Sequence, residues 1–196
     1  MKEVTRKIPK VDGLGLLLGR PIYTDDLSPK NARIVKILRS PYPFAKIKSI
    51  DTKVAKKIPG VECILTHEDV PKVRFTRAGQ SYPETSPQDT LMLDKYVRFI
   101  GDDVAIVATI SEEIAEKAIK HIVVEYDILD PILDFEKSEG NPILVHPEND
   151  SKCLVDIGYE PSRNVVCKLK FDYGDIDKTL KESDVVVEET YYTQST

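Results

Sequence analysis

The amino-acid sequence predicts an α+β fold in which helices lie on one side of a sheet. The first observation is a strand, helix, strand succession in residues 97–127, VRFIGDDVAIVATISEEIAEKAIKHIVVEYD. The second is that a helix followed directly by a strand also occurs in residues 51–65. Because helices and sheets each bury an apolar side against another element, the two units together predict a two-layer domain.

The succession in residues 97–127 is defined by its apolar spacing and its capping residue. Residues 103–110 form a β-branched apolar run, which predicts a strand that is buried on both faces. Ser111 can cap the following helix, and Glu112 and Glu113 lie in its positively polarised first turn. Residues 123–126 predict the next strand. The apolar face of the helix comprises Ala115, Ala118, Ile119 and Ile122.

Shorter elements are predicted before this succession. Residues 32–38 predict a strand, and a short segment follows at residues 45–50. Asp51 is expected to cap a small helix that Pro59-Gly60 ends, and residues 61–65 predict the next strand. The apolar side of this helix comprises Val54, Ala55 and Ile58.

The remaining segments are loops and a second, smaller group of elements. Residues 77–90, RAGQSYPETSPQDT, predict a long exposed loop, which would be an interface element, a lid or simply flexible. Residues 131–164 predict a polar connector with several prolines. A strand at 165–171, a short helix capped by Asp175 and a strand at 185–192 are expected to follow. The helix side chains expected to face inward are Ile176 and Leu180.

With 196 residues, the chain is long enough for one full domain and part of another. We therefore predict four parts: an irregular segment at 1–30, the two-layer domain at 31–130, the connector at 131–164, and an incomplete α/β segment at 165–196. The last part has no closing helix or turn, so we expect it to be truncated.

Composition excludes several classes of function. The formal net charge of −5 argues against a nucleic-acid protein, because phosphate binding needs concentrated Lys and Arg. No apolar run approaches the roughly 20 residues that a bilayer-spanning helix needs. The three cysteines, Cys63, Cys153 and Cys167, lack CxxC spacing and predict reduced thiols in a cytoplasmic protein.

No residue pattern predicts an active site. Gly13, Gly15 and Gly19 miss the GxGxxG spacing, and no strand precedes them. His67 lies at what would be a short helix start, with Glu68 and Asp69 favourable there, and no HExxH or H-x-H partner exists. His121 is expected at a helix end and His146 in the connector, and the acidic pairs Asp25-Asp26 and Asp102-Asp103 are expected to be solvated.

The order and spacing of many short pieces nevertheless carry a resemblance. The chain resembles the N-terminal part of the molybdopterin-binding subunit in the xanthine dehydrogenase and aldehyde oxidase family of molybdenum hydroxylases, in particular the a/b hammerhead domain and the start of the molybdenum-binding domain. The matching pieces are Gly19-Arg20 with Tyr23 and Asp26, Leu38-Arg39-Ser40-Pro41 with Ala45 and Ile47, Ile50-Asp51 with Ala55, Pro59-Gly60-Val61, Asp69-Val70-Pro71, Val97 to Gly101, Val104-Ala105, Val107-Ala108, Val124-Glu125-Tyr126, Leu129, Pro131, Gly174-Asp175, Ser183-Asp184, Val185 to Glu188, and Tyr192-Thr193.

Two positions depart from the family pattern. Phe44 stands where the family commonly has His, and Asp103 stands where it usually has Pro. In the family, the glycine-rich loops that contact molybdopterin and the glutamate base occur downstream of the matching region. The resemblance therefore implies no catalytic, cofactor-binding or metal-binding residue in this chain, and we expect the purified chain to carry no molybdenum.

The resemblance implies a function for the longer protein. Its full-length form is expected to hydroxylate purines or other N-heterocycles, or to oxidise aldehydes, with this chain as an inactive structural fragment. The expected partners are the remainder of the molybdenum-binding domain, subunits that hold 2Fe-2S clusters and FAD, and a second copy paired through residues 185–192. The alternative is a stand-alone α/β binding or assembly module without metal chemistry.

Overall fold

A computed structural model describes residues 8–21, 23–78, 82–171 and 173–194. The chain divides into two compact units. The first comprises Met1–Arg74 and Thr90–Pro131, and the second comprises Phe75–Asp89 and Ile132–Thr196. The four-part division of the sequence analysis stays a prediction.

The first unit contains six strands in two antiparallel sheets. In chain order the strands are β1 (Ile34–Arg39), β2 (Ala45–Asp51), β3 (Val61–Thr66), β4 (Tyr96–Val97), β5 (Asp103–Thr109) and β6 (Val123–Ile128). One sheet has the order β1-β5-β3 and the other β4-β2-β6. The sequence analysis did not predict this division into two sheets, in which β5 and β6 join different sheets although one helix connects them.

Three α-helices are present in the described residues: α1 (Gly13–Leu17), α2 (Glu112–Ile119) and α3 (Ile176–Glu182). The predicted cap of α2 is confirmed, since the Ser111 hydroxyl accepts a hydrogen bond from the Ile114 amide at 3.4 Å. The helix packs on the β1-β5-β3 sheet, and Lys36 of β1 bridges Glu112 and Glu116 at 2.8 and 2.7 Å. These contacts fix the helix over the sheet.

Two apolar clusters form the core of this unit. The first joins β3, β5 and α2 through Ile64, Ala105, Val107 and Ala118, and also contains Ala55 and Ile122. The second joins β2, β4 and β5 through Ala45, Ile47, Val97 and Val104. Leu38, Ile50 and Val124 pack against both clusters. Strand β5 thus contributes to both clusters, which confirms that it is buried on both faces.

The small helix expected after Asp51 is shorter than predicted. Asp51 accepts a hydrogen bond from the Lys53 amide at 2.9 Å, which starts a turn, but only Ala55–Lys57 is helical, as a single 3-10 turn. Other 3-10 turns are Thr24–Leu27, Phe135–Lys137 and Pro161–Arg163. Isolated short helices are marginal, and here packing of Ala55 in the core holds only one turn.

The second unit departs most from the expected elements. Residues 165–171 and 185–192 contain no strand, apart from an isolated bridge between Glu160 and Val165. Asp175 caps α3 as predicted, accepting from the Lys178 amide at 2.9 Å. Ile176 and Leu180 are 60% and 49% exposed, so their predicted inward orientation is wrong for the described chain. A strand requires a partner, and the described residues supply none here.

Among the described residues, no helix has the length and apolarity required to cross a bilayer.

Candidate functional site

The three histidines have separate environments. His121 follows α2, and its Nδ1 lies 2.8 Å from the Lys117 carbonyl oxygen, as expected at a helix end. His146 Nε2 lies 3.8 Å from Asp89 Oδ2 in the second unit. Nowhere in the described residues do three or more His, Cys, Asp or Glu side chains form a group that could hold a metal ion.

His67 lies in the turn after β3, and its surroundings are those of a structural residue. The expected helix start at Thr66 is wrong: Asp69 accepts hydrogen bonds from the Thr66 amide and hydroxyl, both at 2.8 Å, and closes a turn. These two hydrogen bonds lower the pKa of Asp69 below its usual value. Burial, followed by the nearby charge of Lys72, lowers the pKa of His67. Both effects favour the neutral form of the partly buried His67 imidazole.

Gly13, Gly15 and Gly19 do not form a phosphate loop. Gly13 and Gly15 lie inside α1, a helix of five residues, and Gly19 follows it with a φ of +65°. Leu14 and Leu17 of this helix are 71% and 86% exposed. The glycine-rich segment is thus a short helix with exposed leucine side chains.

The acidic pairs hold turns. Asp26 accepts a hydrogen bond from the Tyr23 amide at 2.8 Å, within an exposed turn. Asp102 Oδ2 accepts from the Arg98 amide at 2.9 Å. Asp103 forms an ion pair with Arg39 across the β1–β5 pair, and its side chain is only 25% exposed. Asp102 and Asp103 are thus partly exposed, as expected, and each carboxylate also has a protein partner.

Two segments that carry the family resemblance meet at one turn. The Gly101 amide donates to the Ser40 carbonyl at 2.8 Å, and the Ser40 amide donates to the Asp102 carbonyl at 2.8 Å. Ser40 is buried, and its hydroxyl accepts from the Tyr42 amide at 3.1 Å. The turn presents Phe99 and Ile100, which are 46% and 68% exposed. We refer to residues 98–102 as the apolar turn.

Asn164 organises the second unit and was missed by the sequence analysis. Its side-chain amide donates to the carbonyls of Ser138 and Ile143 at 3.1 and 2.8 Å, and its oxygen accepts from the Val145 amide at 3.0 Å. Its backbone is left-handed, with a φ of +58°. Asn is one of the few residues that adopt this conformation readily, but no local pattern around it predicted three distant partners.

A cavity of about 390 Å³ in the second unit is lined by residues 149, 151–153, 155–157, 159 and 161. Ser151 Oγ and Tyr159 Oη lie 2.6 Å apart, so each hydroxyl is hydrogen-bonded. Burial, with the nearby charge of Asp89, raises the pKa of the Cys153 thiol. A thiol with a raised pKa is mostly protonated at neutral pH and is a poor nucleophile. The cavity therefore does not present an activated nucleophile.

Comparison with known proteins decides the family. Residues 18–130 match the family model described as "Aldehyde oxidase and xanthine dehydrogenase, a/b hammerhead domain". The chain belongs to the aldehyde oxidase and xanthine dehydrogenase family. The two small antiparallel sheets and the helix over one of them accord with the a/b hammerhead fold, so the predicted family and fold class are confirmed.

Relatives in this family are much longer than the chain. A probable hypoxanthine oxidase of Escherichia coli O157:H7 is 33% identical over 97% of this chain and 22% of its own length. The nicotinate dehydrogenase large molybdopterin subunit of Eubacterium barkeri is 30% identical over 94% of this chain and 39% of its own length. Quinoline 2-oxidoreductase from Pseudomonas putida 86 superposes with a TM-score of 0.54 and 32% identity, covering 67% of this chain and 17% of that one. The chain thus spans between about a fifth and two fifths of the curated relatives described.

Proposed function

We propose that this chain is the N-terminal structural part of the molybdopterin-binding subunit of a molybdenum hydroxylase. The observation that carries the proposal is the coverage of the two curated relatives. One aligns with 97% of this chain, which spans 22% of that relative, and the other aligns with 94% of this chain, which spans 39% of it. In this proposal the full-length protein hydroxylates a purine or another N-heterocycle, or oxidises an aldehyde. Hypoxanthine, nicotinate and quinoline, which appear in the relatives' names, are all N-heterocycles, and this supports the first of these reactions.

The role of the chain itself is to supply a rigid platform. The buried faces of β5, the capped helix α2 and the hydrogen-bonded turn at Ser40 and Gly101 support this role. Molybdopterin, when bound by the longer subunit, supplies the redox chemistry. Iron-sulfur and FAD subunits are the proposed electron-transfer partners, in a cytoplasmic assembly.

The C-terminal part of the chain is the proposed contact with the remainder of the molybdenum-binding domain. Ile176 of α3 is 60% exposed, and Val185, Val187 and Tyr192 are 77%, 77% and 92% exposed. Burying such side chains stabilises a protein by roughly 1.5–3 kcal/mol each. The β-branched residues among them are also common in strands, so this segment is suited to pairing with another strand. We propose that residues 185–192 pair with downstream strands, or with a second copy when those strands are absent.

The full-length subunit tests this function directly. We expect that the gene continues beyond residue 196, and that the longer product, expressed in a host that makes molybdopterin, contains stoichiometric molybdenum and oxidises hypoxanthine, nicotinate or quinoline. The 196-residue chain is expected to contain none. A stop codon directly after residue 196, or stoichiometric molybdenum in the short chain, would instead favour an independent module or a site within these residues.

Self-association of the short chain has its own test. Light scattering at increasing protein concentration is expected to show dimers or larger species. Replacing Val185 and Val187 by Asp should leave a monomer, because a charged strand edge resists pairing. Replacing the equally exposed Leu133 by Asp is the control. A wild-type chain that stays monomeric at all concentrations contradicts the pairing.

A further inference from the structure

Three cationic groups surround the ring of Tyr96 in β4. The Nζ atoms of Lys46 and Lys95 lie 5.8 and 5.5 Å from the ring centroid, and the Arg98 guanidinium carbon lies 5.6 Å from it. Tyr96 also stacks on the buried ring of Phe44, with centroids 6.4 Å apart. Cations within about 6 Å of an aromatic face are attracted to it, so the ring holds the three groups together.

Two of these cations have no carboxylate partner in the described parts of the chain. Arg98 is paired with Asp94 at 2.9 Å, and both side chains are largely buried. Asp127 faces Lys46 in the β2–β6 register but forms its ion pair with Lys48, at 3.6 Å. Lys46 and Lys95 are exposed, and neither ammonium group forms an ion pair with a carboxylate of the described residues. This sheet surface is locally positive in a chain whose formal net charge is −5.

The apolar turn follows β4 directly along the chain. Its Phe99 and Ile100 side chains are exposed, while its backbone is fixed by the bonds from the Arg98 amide to Asp102 and from the Gly101 amide to Ser40. Gly101 has a φ of +95°, which favours glycine. Exposed apolar side chains on a rigid backbone lose little entropy when they bind, because the turn is already ordered.

We propose that the Tyr96 cation cluster and the apolar turn form one docking surface for a protein partner whose own surface is acidic and carries aliphatic side chains. The two uncompensated lysines match carboxylates on the partner, and Phe99 and Ile100 insert among its apolar side chains. Aromatic anchors and Arg beside a polar rim are common in protein interfaces. The inference does not depend on the reaction catalysed by the longer subunit.

The structure favours an acidic protein over a nucleic acid. Arg98 and Lys48 are paired with Asp94 and Asp127, so the two remaining lysines form a short positive patch and no continuous basic stripe. A nucleic-acid surface needs a longer stripe of Lys and Arg. A peptide with alternating carboxylates and apolar side chains can match both the lysines and the turn.

A peptide-binding experiment with the full chain tests the surface. The probe is a fluorescein-labelled peptide of alternating Glu and Leu, and its fluorescence anisotropy is followed as protein is added. We expect binding that weakens with added salt, and a loss of about tenfold in affinity for K46E/K95E, since exposed charges act weakly but two are reversed. The matched control K53E/K57E changes the net charge equally, at two exposed lysines that lack ion pairs among the described residues, and should stay within about twofold of wild type.

Substitution of the turn tests the apolar half. F99S/I100S is expected to weaken peptide binding while its salt dependence stays that of the wild type. Circular dichroism of each variant confirms that the exposed changes leave the fold intact. Equal losses for K46E/K95E and K53E/K57E, no effect of F99S/I100S, absence of peptide binding, or tighter binding of a single-stranded oligonucleotide probe would each overturn the proposal. None of these readouts measures molybdenum or substrate oxidation, so failure here is separate from failure of the proposed function.

Discussion

Replacing Gly60 by Ala is expected to destabilise the first unit strongly. Gly60 has a φ of +91°, and a Cβ atom there would lie 2.7 Å from Ile114 Cδ1 and 2.9 Å from Ile110 Cγ1. The Gly60 carbonyl also accepts the Ile110 amide at 3.0 Å, so the backbone cannot easily move away. Gly60 is therefore the point where the turn before β3 touches the start of α2.

The magnitude follows from two separate costs. A side chain at positive φ costs about 1–2 kcal/mol, and overpacking a close contact costs about 1–3 kcal/mol. We expect G60A to lower the free energy of unfolding by about 3 kcal/mol in urea denaturation followed by circular dichroism. G101A is the matched control, because Gly101 has a φ of +95° but nothing within 4 Å of its Cβ position. The free energy of unfolding of G101A should fall only by the cost of a side chain at positive φ.

The contact with Ile114 can be tested on its own. I114V removes the Cδ1 atom that the new methyl group would meet, so the double variant G60A/I114V should be more stable than the sum of the two single changes predicts. Equal destabilisation by G60A and G101A, together with additive behaviour of the double variant, would refute the close packing of α2 on Gly60.

Three further predictions concern single side chains. S111A should lower the free energy of unfolding by about 1 kcal/mol in urea melts, because the α2 cap is lost, while S111D should retain most of it. Lys36 lowers the pKa of Glu116 mainly through its hydrogen bond. Any stability from this pair is therefore present above the unfolded-state pKa of Glu116, and it is lost as the pH falls through the folded-state pKa. Carboxyl NMR titration should show the pKa of Glu116 rising in K36M, and an unchanged pKa would contradict the pairing. D103P should fold, since Pro is tolerated at the first residue of a strand, whereas A105P in the centre of β5 should unfold, as measured by circular dichroism.

Local patterns predicted the elements that local interactions stabilise. The residues from β5 to β6 were predicted well because the β-branched run, the Ser111 cap and the helical spacing each act within a few residues. Sheet membership was not predicted, because it depends on pairs far apart in sequence, such as Ile37 with Ile106 and Ile47 with Tyr126. Register irregularities at Leu38/Arg39 and Ile47/Ser49 are likewise invisible to a period-two pattern.

The errors in the second unit have one physical cause. Residues 165–171 and 185–192 have β propensity, but propensity reports how well side chains fit a sheet that already exists. Their backbone has no ladder partner among the described residues, so the pattern alone could not produce a strand. Asn164 is an opposite case, in which the structure is more ordered than the sequence suggested. Its side chain makes three hydrogen bonds in a segment whose composition predicted only a connector.

Two side-chain contacts support the proposed docking surface. Phe44 is 7% exposed and stacks on Tyr96, so it supports the ring that lies near Lys46 and Lys95. Asp103 forms an ion pair with Arg39, whose guanidinium also donates to the Gly101 carbonyl at 3.1 Å and so stabilises the apolar turn. A proline would stiffen β5 through its own ring, whereas the Arg39 and Asp103 pair stiffens the turn through a side-chain contact. The buried Phe44 ring and the Arg39–Asp103 pair therefore support the two halves of the proposed docking surface, the Tyr96 ring and the apolar turn.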